Sequence, residues 1–385
     1  MGIRNTAIVI YCTVVGFAVL YATQPLLPLL AAQWGRPVAD TALLTTATMV
    51  PLALGPLLYG YILEHVSTKH MLSAGFSVLT LAQFAISLGP DYPVFFVLRT
   101  IEGAMLPAIF TALMTYSSSA GGQQKTRRNI TVYIAATIAG GYSGRVLSAI
   151  LTDLFDWQAA FLFWAVAAML ATLLTTRLDR DPRLRLGKVK LAEIRTLAQR
   201  PVYAEGLASA FLLFFIFAAM LNFLPFHMRD NDPQISQSQI GFVYTGYLVG
   251  IVISLASLRL VKRLGGERRT LVIGSLVYLA GTAAFALPGN HLAYFSMLLF
   301  AAGMFTLHSV LSAFLNHLES ERKGLVNGLY VSAYYTGGAL GSYLPGFLYL
   351  GWGWHAFIAL LLLLGVALTI LSLLLRHAPE STTST

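Results

Sequence analysis

Residues 137–153 read TIAGGYSGRVLSAILTD, a glycine-rich apolar segment that carries one cation, Arg145, in its body. The core of this stretch, GGYSGR at residues 140–145, returns 197 positions later as GGALGS at residues 337–342. The return of such a distinctive unit after half the chain indicates two related halves. It also raises a question, because the second copy has serine where the first has the arginine.

Further matches extend this repeat over much of the chain. They are Leu27-Pro28 with Leu224-Pro225 and Asp156-Trp157 with Gly353-Trp354, both at the offset of 197, and Gly103 with Gly303 at an offset of 200. Two parallel six-helix repeats joined by a loop are a transporter architecture, in which the substrate site lies between the halves near the membrane midplane.

The composition is that of a protein embedded in a membrane. The chain has 385 residues, of which 57% are hydrophobic and 11% charged, whereas ordinary soluble domains are about 25% charged. Apolar runs of roughly 18 or more residues predict spanning helices. Twelve such runs occur, near residues 6–33, 39–63, 71–89, 93–116, 130–152, 158–177, 202–227, 237–260, 270–288, 292–315, 324–349 and 355–375. We therefore predict an all-α membrane protein with twelve transmembrane helices in two pseudo-symmetric six-helix bundles.

The first run is not a cleaved signal peptide, and the cysteine count limits disulfides and metal sites. The run at residues 6–33 is longer than the roughly 7–15-residue apolar core of a cleaved signal peptide, so it reads as a retained first span. Cys12 is the only cysteine, which excludes intrachain disulfides and cysteine-based metal sites.

The longest polar interval divides the runs into six and six. It occupies residues 178–201 and is predicted to be a cytoplasmic linker between an N-terminal bundle at 1–177 and a C-terminal bundle at 202–376. Leu191, Ile194 and Leu197 recur within it at helical spacing, which favours an amphipathic helix on the membrane surface, with a flexible linker as the alternative. Residues 377–385 are predicted to be a disordered cytoplasmic tail.

The net charge of +9 has a topological explanation. If the N terminus is cytoplasmic, 21 of the 25 lysines and arginines lie in cytoplasmic segments, whereas only Arg36 and Arg229 lie in outside segments. This asymmetry follows the positive-inside rule. It predicts that both termini are in the cytoplasm. Because topology explains the positive charge, we expect no nucleic-acid partner.

The repeat separates scaffold from chemistry. The small residues Gly140, Gly141 and Gly144 match Gly337, Gly338 and Gly341, and small residues at this spacing let helices approach closely. We predict that all six pack helices together.

Three charges within the spans have no counterpart in the second half. Arg99 matches Leu299, Glu102 matches Ala302, and Arg145 matches Ser342. A mid-span arginine costs about 2.5–3.5 kcal/mol on insertion scales. The structural explanation is an ion pair or a partly snorkelling side chain that fixes packing; the functional one, which we favour, is a cationic wall in a polar cavity.

Glu102 and Asp153 are the candidate proton carriers. Glu102 follows Arg99 by three residues, so the two share a helix face, and a buried carboxyl beside an arginine can exchange a proton. A static Arg99–Glu102 pair is the alternative. Asp153 ends the fifth span; it either caps and solvates that end or takes up protons there.

Neutral polar and aromatic residues in the spans complete the candidate substrate site. A lone polar residue in a span is often an interhelical hydrogen bond, so each carries that alternative. The candidates are Tyr21 and Gln24 in span one, Asn222 in span seven, His308 in span ten, and Tyr330 and Tyr334 in span eleven.

These residues carry a family resemblance. The whole chain resembles a Major Facilitator Superfamily transporter, of the twelve-spanner drug:proton antiporter type close to bacterial arabinose-efflux-like exporters. Arg99-Thr-Ile-Glu-Gly103 is similar to the fourth-span signature of that type, whose arginine is implicated in proton transfer. The GGYSGR run resembles the fifth-span antiporter motif but lacks its Gly-Pro pair.

The resemblance also implies a charged latch on the cytoplasmic side. The family's loop between spans two and three carries glycine, aspartate and basic residues. Here the corresponding positions are Gly60, Glu64 and Lys69, with His65 at the first basic position. Arg263 lies in the matching segment of the second half.

The function expected from these observations is proton-coupled export by alternating access. The substrate would be a small anionic or amphiphilic molecule, such as a carboxylate siderophore or an acidic metabolite. Proton-coupled anion uptake and broad drug efflux are the alternatives. An enzyme is disfavoured because no HExxH motif or histidine–acid cluster occurs within a span. No P-loop occurs, which favours a proton gradient as energy source, with a sodium gradient as the alternative. We expect no cofactor or metal, and a functional monomer in the bacterial inner membrane.

Overall fold

The computed structural model describes residues 2–118, 123–179, 191–318 and 323–375, and these ranges contain helices and no strand. The first span is broken, because a 3-10 turn at Gln24–Leu26, where Pro25 lacks an N–H, separates its two helices. The helices of the N-terminal half are α1 (Ile3–Tyr21), α2 (Leu27–Trp34), α3 (Val38–His65), α4 (Thr68–Ser87), α5 (Tyr92–Ser118), α6 (Gln123–Leu154) and α7 (Trp157–Thr175).

The second half repeats this order after a short helix in the linker. The eighth span is also broken, by a 3-10 turn at Tyr244–Leu248. The helices are α8 (Leu191–Ala198), α9 (Pro201–Asn231), α10 (Gln237–Val243), α11 (Val249–Leu264), α12 (Glu267–Ala284), α13 (Asn290–His317), α14 (Lys323–Gly341) and α15 (Pro345–Leu374).

The boundary between the last two spans lies inside α15. Gly353 there has φ 78° and ψ −175°, a combination that essentially only glycine adopts. It stands 197 residues after Asp156, which caps α7 by accepting a 2.6 Å hydrogen bond from the backbone of Ala159. The predicted separation of runs 324–349 and 355–375 therefore corresponds to a kink in the helix at Gly353.

Ten described helices are long and apolar enough to cross a membrane. The other two span positions are filled by α12, whose first turn carries Glu267, Arg268 and Arg269, and by α14, which is rich in glycine and tyrosine. The all-α fold with two related six-helix bundles is confirmed.

The repeated glycines lie at equivalent helix crossings. A Cβ at Gly140 would lie 2.6 Å from the carbonyl oxygen of Val14, and one at Gly337 would lie 2.1 Å from that of Phe211. Gly144 and Gly341 approach Ala18 and Phe215 in the same way. Each partner pair is again 197 residues apart, so the fifth and eleventh spans cross the first and seventh identically.

The two bundles meet along α3 with α14 and along α6 with α10 and α11. Asp153, at the end of α6, contacts the start of α10. We call this end of the molecule the Asp153 end. The opposite, terminal end holds Arg4, which pairs with Asp179 beyond α7.

The predicted linker helix is present as α8, with Leu197 buried; its place on a membrane surface stays a prediction. Residues 180–190 of the linker and the predicted tail at 377–385 lie outside the described residues.

Candidate functional site

Arg99 terminates the first helix of the broken first span. The break after α1 leaves carbonyl groups of its last turn without helical partners. Arg99 is fully buried and donates to two of these, with Nη1 3.1 Å from the Val19 oxygen and Nη2 2.9 Å from the Leu20 oxygen. A cation at a helix C terminus is also favoured by the helix dipole. Arg99 therefore holds the end of α1 in place.

Glu102 neutralises Arg99. Its Oε2 accepts from Arg99 Nη1 at 2.5 Å, and its Oε1 accepts from Nε2 of Gln83 on α4 at 2.5 Å. Both members of the pair have no exposed surface. The pair thus joins α1, α4 and α5 within the N-terminal bundle, and Gln83 is a partner that the sequence analysis missed.

Arg145 occupies a different environment, between the bundles. Its Nε donates to Gln24 Oε1 at 2.7 Å and its Nη1 to the Gly141 oxygen at 2.6 Å. Its Cζ lies 4.1 Å from the ring centre of Tyr21, 5.1 Å from that of Tyr244 and 5.2 Å from that of Tyr247. We call Tyr21, Gln24, Arg145, Tyr244 and Tyr247 the Arg145 box. It is built from both halves.

The Arg145 box leaves two buried donors unused. Among the described residues, Nη2 of Arg145 and Nε2 of Gln24 have no hydrogen-bond partner. Arg145 has no exposed surface and Gln24 only 1%. A buried donor without an acceptor costs about 1–3 kcal/mol. Nη2 of Arg145 and Nε2 of Gln24 are therefore the candidate ligand contacts of the box.

Tyr244 and Tyr247 were not predicted, although both complete the box. Pro225 has no N–H, so the Leu221 carbonyl lacks its helical partner; the Tyr244 hydroxyl donates to that oxygen at 2.8 Å. Tyr247 lies on the same 3-10 turn. The available signal was the pair of tyrosines three residues apart in an otherwise apolar span.

The other predicted aromatic residues lie beside the box. Tyr334 stacks on Phe214 with ring centres 3.9 Å apart. It is also close enough to Tyr21 and Tyr247 to interact with them electrostatically. His308 Nδ1 and the Tyr330 hydroxyl are 2.8 Å apart, and the His308 ring is 4.9 Å from that of Tyr334. The structure therefore brings Tyr330, Tyr334 and His308 together with the Arg145 box.

Asn222 lies at another point, where span eleven breaks. Its Nδ2 donates at 2.8 Å to the carbonyl oxygen of Ser342, and the Ser342 hydroxyl is 2.8 Å from that of Thr46. Asn222 thus satisfies a broken helix end next to the crossing of α3 and α14.

Asp153 joins the two bundles. Its two carboxylate oxygens accept from the backbone N–H groups of Gln237 at 3.0 Å and Ser238 at 2.7 Å. These are first-turn donors of α10, which no helical carbonyl reaches. A carboxylate of the N-terminal half therefore caps a helix of the C-terminal half.

The predicted latch is described only in part. The backbone of Gly60 and Glu64 is in the last turns of α3, and the side chain of Glu64 lies outside the described residues. Lys69 is half-buried in the first turn of α4, and Arg263 is exposed in the last turn of α11. Within the described ranges, no three His, Cys, Asp or Glu side chains group as a metal site would require.

Comparison with known proteins decides the family. The Major Facilitator Superfamily model matches residues 9–233 and again residues 230–385. The chain belongs to the Major Facilitator Superfamily. Together the two matches cover residues 9–385, so the similarity to this superfamily extends over nearly the whole chain.

Similar superfamily members are bacterial transporters. The inner membrane transport protein YnfM of Escherichia coli is 24% identical over 371 residues, covering 91% of this chain and 86% of the relative. The uncharacterised MFS-type transporter YybF of Bacillus subtilis is 25% identical over 347 residues, covering 88% and 85%. The crystal structure of a variant of the nucleoside transporter NupG superposes with a TM-score of 0.77 at 14% identity, covering 96% of this chain and 99% of that one. This superfamily member is therefore a multi-pass membrane transporter.

Proposed function

We propose that this transporter moves a small anionic molecule by alternating access, coupled to protons and in the direction of export. One observation supports it most: Arg145 is fully buried between the halves and keeps an unused donor. A charge that is costly in a membrane interior is typical of substrate and ion pathways. Guanidinium groups suit carboxylates because they offer paired donors.

The placement of the box between the bundles supports alternating access. Arg145, Tyr21 and Gln24 belong to the first half, whereas Tyr244 and Tyr247 belong to the second. Relative motion of the bundles separates the tyrosines from the cation. A ligand shifts such an equilibrium only if it binds one state more tightly, and a site assembled from both halves meets that condition.

The proton route runs through the Arg99–Glu102 pair. Arg99 holds the carbonyl groups of Val19 and Leu20, and the next residues along the chain, Tyr21 and Gln24, hold Arg145. A proton on Glu102 removes the negative charge that neutralises Arg99, which loosens its hold on the end of α1. The proton site and the substrate site thus share the segment 19–24.

Asp153 is the second group in this scheme. While its carboxylate caps α10, the bundles are joined at the Asp153 end. Protonation replaces a charge-assisted acceptor by a weaker neutral one and favours opening there. This gives protons a place at which to bias the access state from the side opposite the termini.

Charge placement and the relatives support an assignment of the cell context. We place the protein in the bacterial inner membrane with both termini in the cytoplasm, by the positive-inside rule. One chain contains the complete Arg145 box, which supports a functional monomer. The chemistry required is binding and release, so no catalytic step is proposed.

Everted membrane vesicles with an acidified lumen test this function. A pH-sensitive dye reports proton release when carboxylates, sugar acids or cationic drugs are added. We expect carboxylates to collapse the gradient in wild type, and Arg145→Ala to abolish the response. The double variant Arg99→Leu/Glu102→Ala, which copies the second half, should lose proton release.

The reverse sign, anion-driven acidification of the lumen, would identify uptake. A response only to cationic drugs, retained in Arg145→Ala, would refute anion transport.

A further inference from the structure

The chemistry of the Arg145 box restricts its ligand beyond a negative charge. The two unused donors, Arg145 Nη2 and Gln24 Nε2, belong to side chains that are hydrogen-bonded to each other through Arg145 Nε and Gln24 Oε1 at 2.7 Å. Two neighbouring donors suit an acceptor group with two oxygens. A carboxylate offers two oxygens with lone pairs in one plane.

The count of buried charges limits the ligand to one negative charge. In the part of the chain that the structure describes, the buried cations are Arg99 and Arg145. Arg99 is already neutralised by Glu102 at 2.5 Å. Only Arg145 therefore remains to balance a ligand. A second carboxylate would be buried without a partner, which is strongly unfavourable.

Buried aromatic rings pack next to the cation. The Tyr247 ring is 4.9 Å from Phe305 and 5.9 Å from Phe217. Phe217 is 6.2 Å from Phe214, which stacks on Tyr334. A continuous wall of rings thus leads from the guanidinium into the second half. Stacking against such a wall favours a flat, conjugated ligand over a saturated one of the same size.

An aromatic cage can also recognise a quaternary ammonium ion. In this protein the cage already contains a cation, since three tyrosine rings surround Arg145 itself. A second cation would be repelled, so the cage holds the guanidinium in place for an anion.

We propose that the Arg145 box binds a monocarboxylate whose carboxylate is attached to a planar aromatic ring, with the carboxylate on Arg145 and Gln24 and the ring against Tyr247 and Tyr334. This assignment rests on the proposed anion transport and names its substrate class.

Calorimetric titration of the full chain in lipid nanodiscs tests this assignment. The probes are benzoate, cinnamate and 2-naphthoate, with cyclohexanecarboxylate as the saturated match, isophthalate as the dianion and benzyltrimethylammonium as the cation. We expect at least one ring monocarboxylate to bind about tenfold more tightly than cyclohexanecarboxylate, the order expected for stacking on two rings. Isophthalate should bind no more tightly than cyclohexanecarboxylate, and benzyltrimethylammonium should not bind at all.

Two variants assign the parts of the ligand to the parts of the site. Arg145→Ala should weaken the binding of every carboxylate at least tenfold. Tyr334→Leu should keep carboxylate binding while reducing the preference for the ring acid to less than about threefold, because one stacking partner is lost. A melting temperature close to wild type in both variants shows that they are folded.

Equal affinity for benzoate and cyclohexanecarboxylate, tight binding of isophthalate, or carboxylate binding that Arg145→Ala weakens less than tenfold would each overturn the assignment. So would the failure of all three ring acids to bind. If dicarboxylates alone drive proton release from the vesicles, anion transport stands and the ring monocarboxylate is refuted. If no anion drives it, the proposed function itself fails.

Discussion

Spans five and eleven have the same scaffold and different chemistry. Gly140 and Gly144 lie where α6 crosses α1, just as Gly337 and Gly341 lie where α14 crosses α9. At each of the four positions an added Cβ would overlap a carbonyl oxygen of the partner helix. The next position differs, because Arg145 is replaced by Ser342. Ser342 is buried; its hydroxyl contacts Thr46 and the Ala339 carbonyl, and its own carbonyl accepts from Asn222.

The partners of the arginine differ in the same way. At the offset of 197, Gln24 corresponds to Leu221 and Tyr21 to Ala218. Gly141 lies next to Arg145, Tyr247 and Tyr21. Its counterpart Gly338 lies next to Phe214 and Met49 instead. The comparison teaches that the crossing itself needs the glycines and that the arginine, with its ligands, is an addition to one half.

The largest effect is expected from breaking the Arg99–Glu102 pair. Glu102→Gln leaves Arg99 as an unneutralised buried cation, and breaking one member of a buried pair costs about 3–5 kcal/mol. We expect a strongly reduced yield of monodisperse protein by fluorescence-detected size exclusion. Arg99→Leu/Glu102→Ala, the residues of the second half, should restore the yield. A single variant as stable as wild type would show that the pair does not support the fold.

The next effect tests whether the second half accepts the charge. Ser342→Arg places a guanidinium at the equivalent crossing, where Leu221 and Ala218 offer neither an acceptor nor a ring. We expect a cost of about 2.5–3.5 kcal/mol or more, seen as a lower melting temperature and yield. Ser342→Ala is the matched control and should stay near wild type. Normal stability of Ser342→Arg would mean that either crossing tolerates an arginine.

The third effect concerns the contact of Asp153 with α10, which joins the halves at the Asp153 end. Asp153→Asn loses charge-assisted bonds to Gln237 and Ser238, about 1.5–3 kcal/mol, so the open population should rise at least tenfold. Spin labels at Phe155→Cys and Gln234→Cys, both exposed, report the distance by pulsed electron resonance.

Asp156→Asn is the control for this measurement, because Asp156 caps α7 within its own half. It should leave the distance distribution unchanged. Identical distributions for Asp153→Asn and wild type would rule out Asp153 as a closing contact.

The smallest effects test the shared scaffold. A Cβ would lie 2.4 Å from the Ala18 oxygen in Gly144→Ala and 2.2 Å from the Phe215 oxygen in Gly341→Ala. Overpacking of this kind costs about 1–3 kcal/mol, and we expect similar losses of thermal stability at both sites. Gly328→Ala meets nothing within 4 Å and should lose none. A large loss at only one of the two crossings would contradict their equivalence.

The sequence predicted the features that are energetically costly in a membrane or that recur in both halves. Arg145 and Arg99 are conspicuous in apolar spans, and Tyr21 and Gln24 are close to the proline break. Tyr244 and Tyr247 were missed because tyrosine costs little in a span and their contact crosses between halves, whose relative placement no local pattern fixes.

Two predicted residues acquired different contacts for a related reason. Asp153 and Asn222 satisfy helix ends that belong to other spans. Their roles depend on where α10 begins and where span eleven breaks, and those positions follow from tertiary packing. The repeat could be found from sequence alone because both copies lie within one chain.

The affinity of the transported anion for Arg145→Ala, measured beside Ser342→Ala, tests the central claim most directly. A hydrogen bond to a charged group contributes about 1.5–3 kcal/mol, or roughly 10- to 150-fold in affinity. The account predicts a loss of that size for Arg145→Ala in a calorimetric titration and less than about twofold for Ser342→Ala. Equal affinities in the two variants would contradict it and return Arg145 to a structural role.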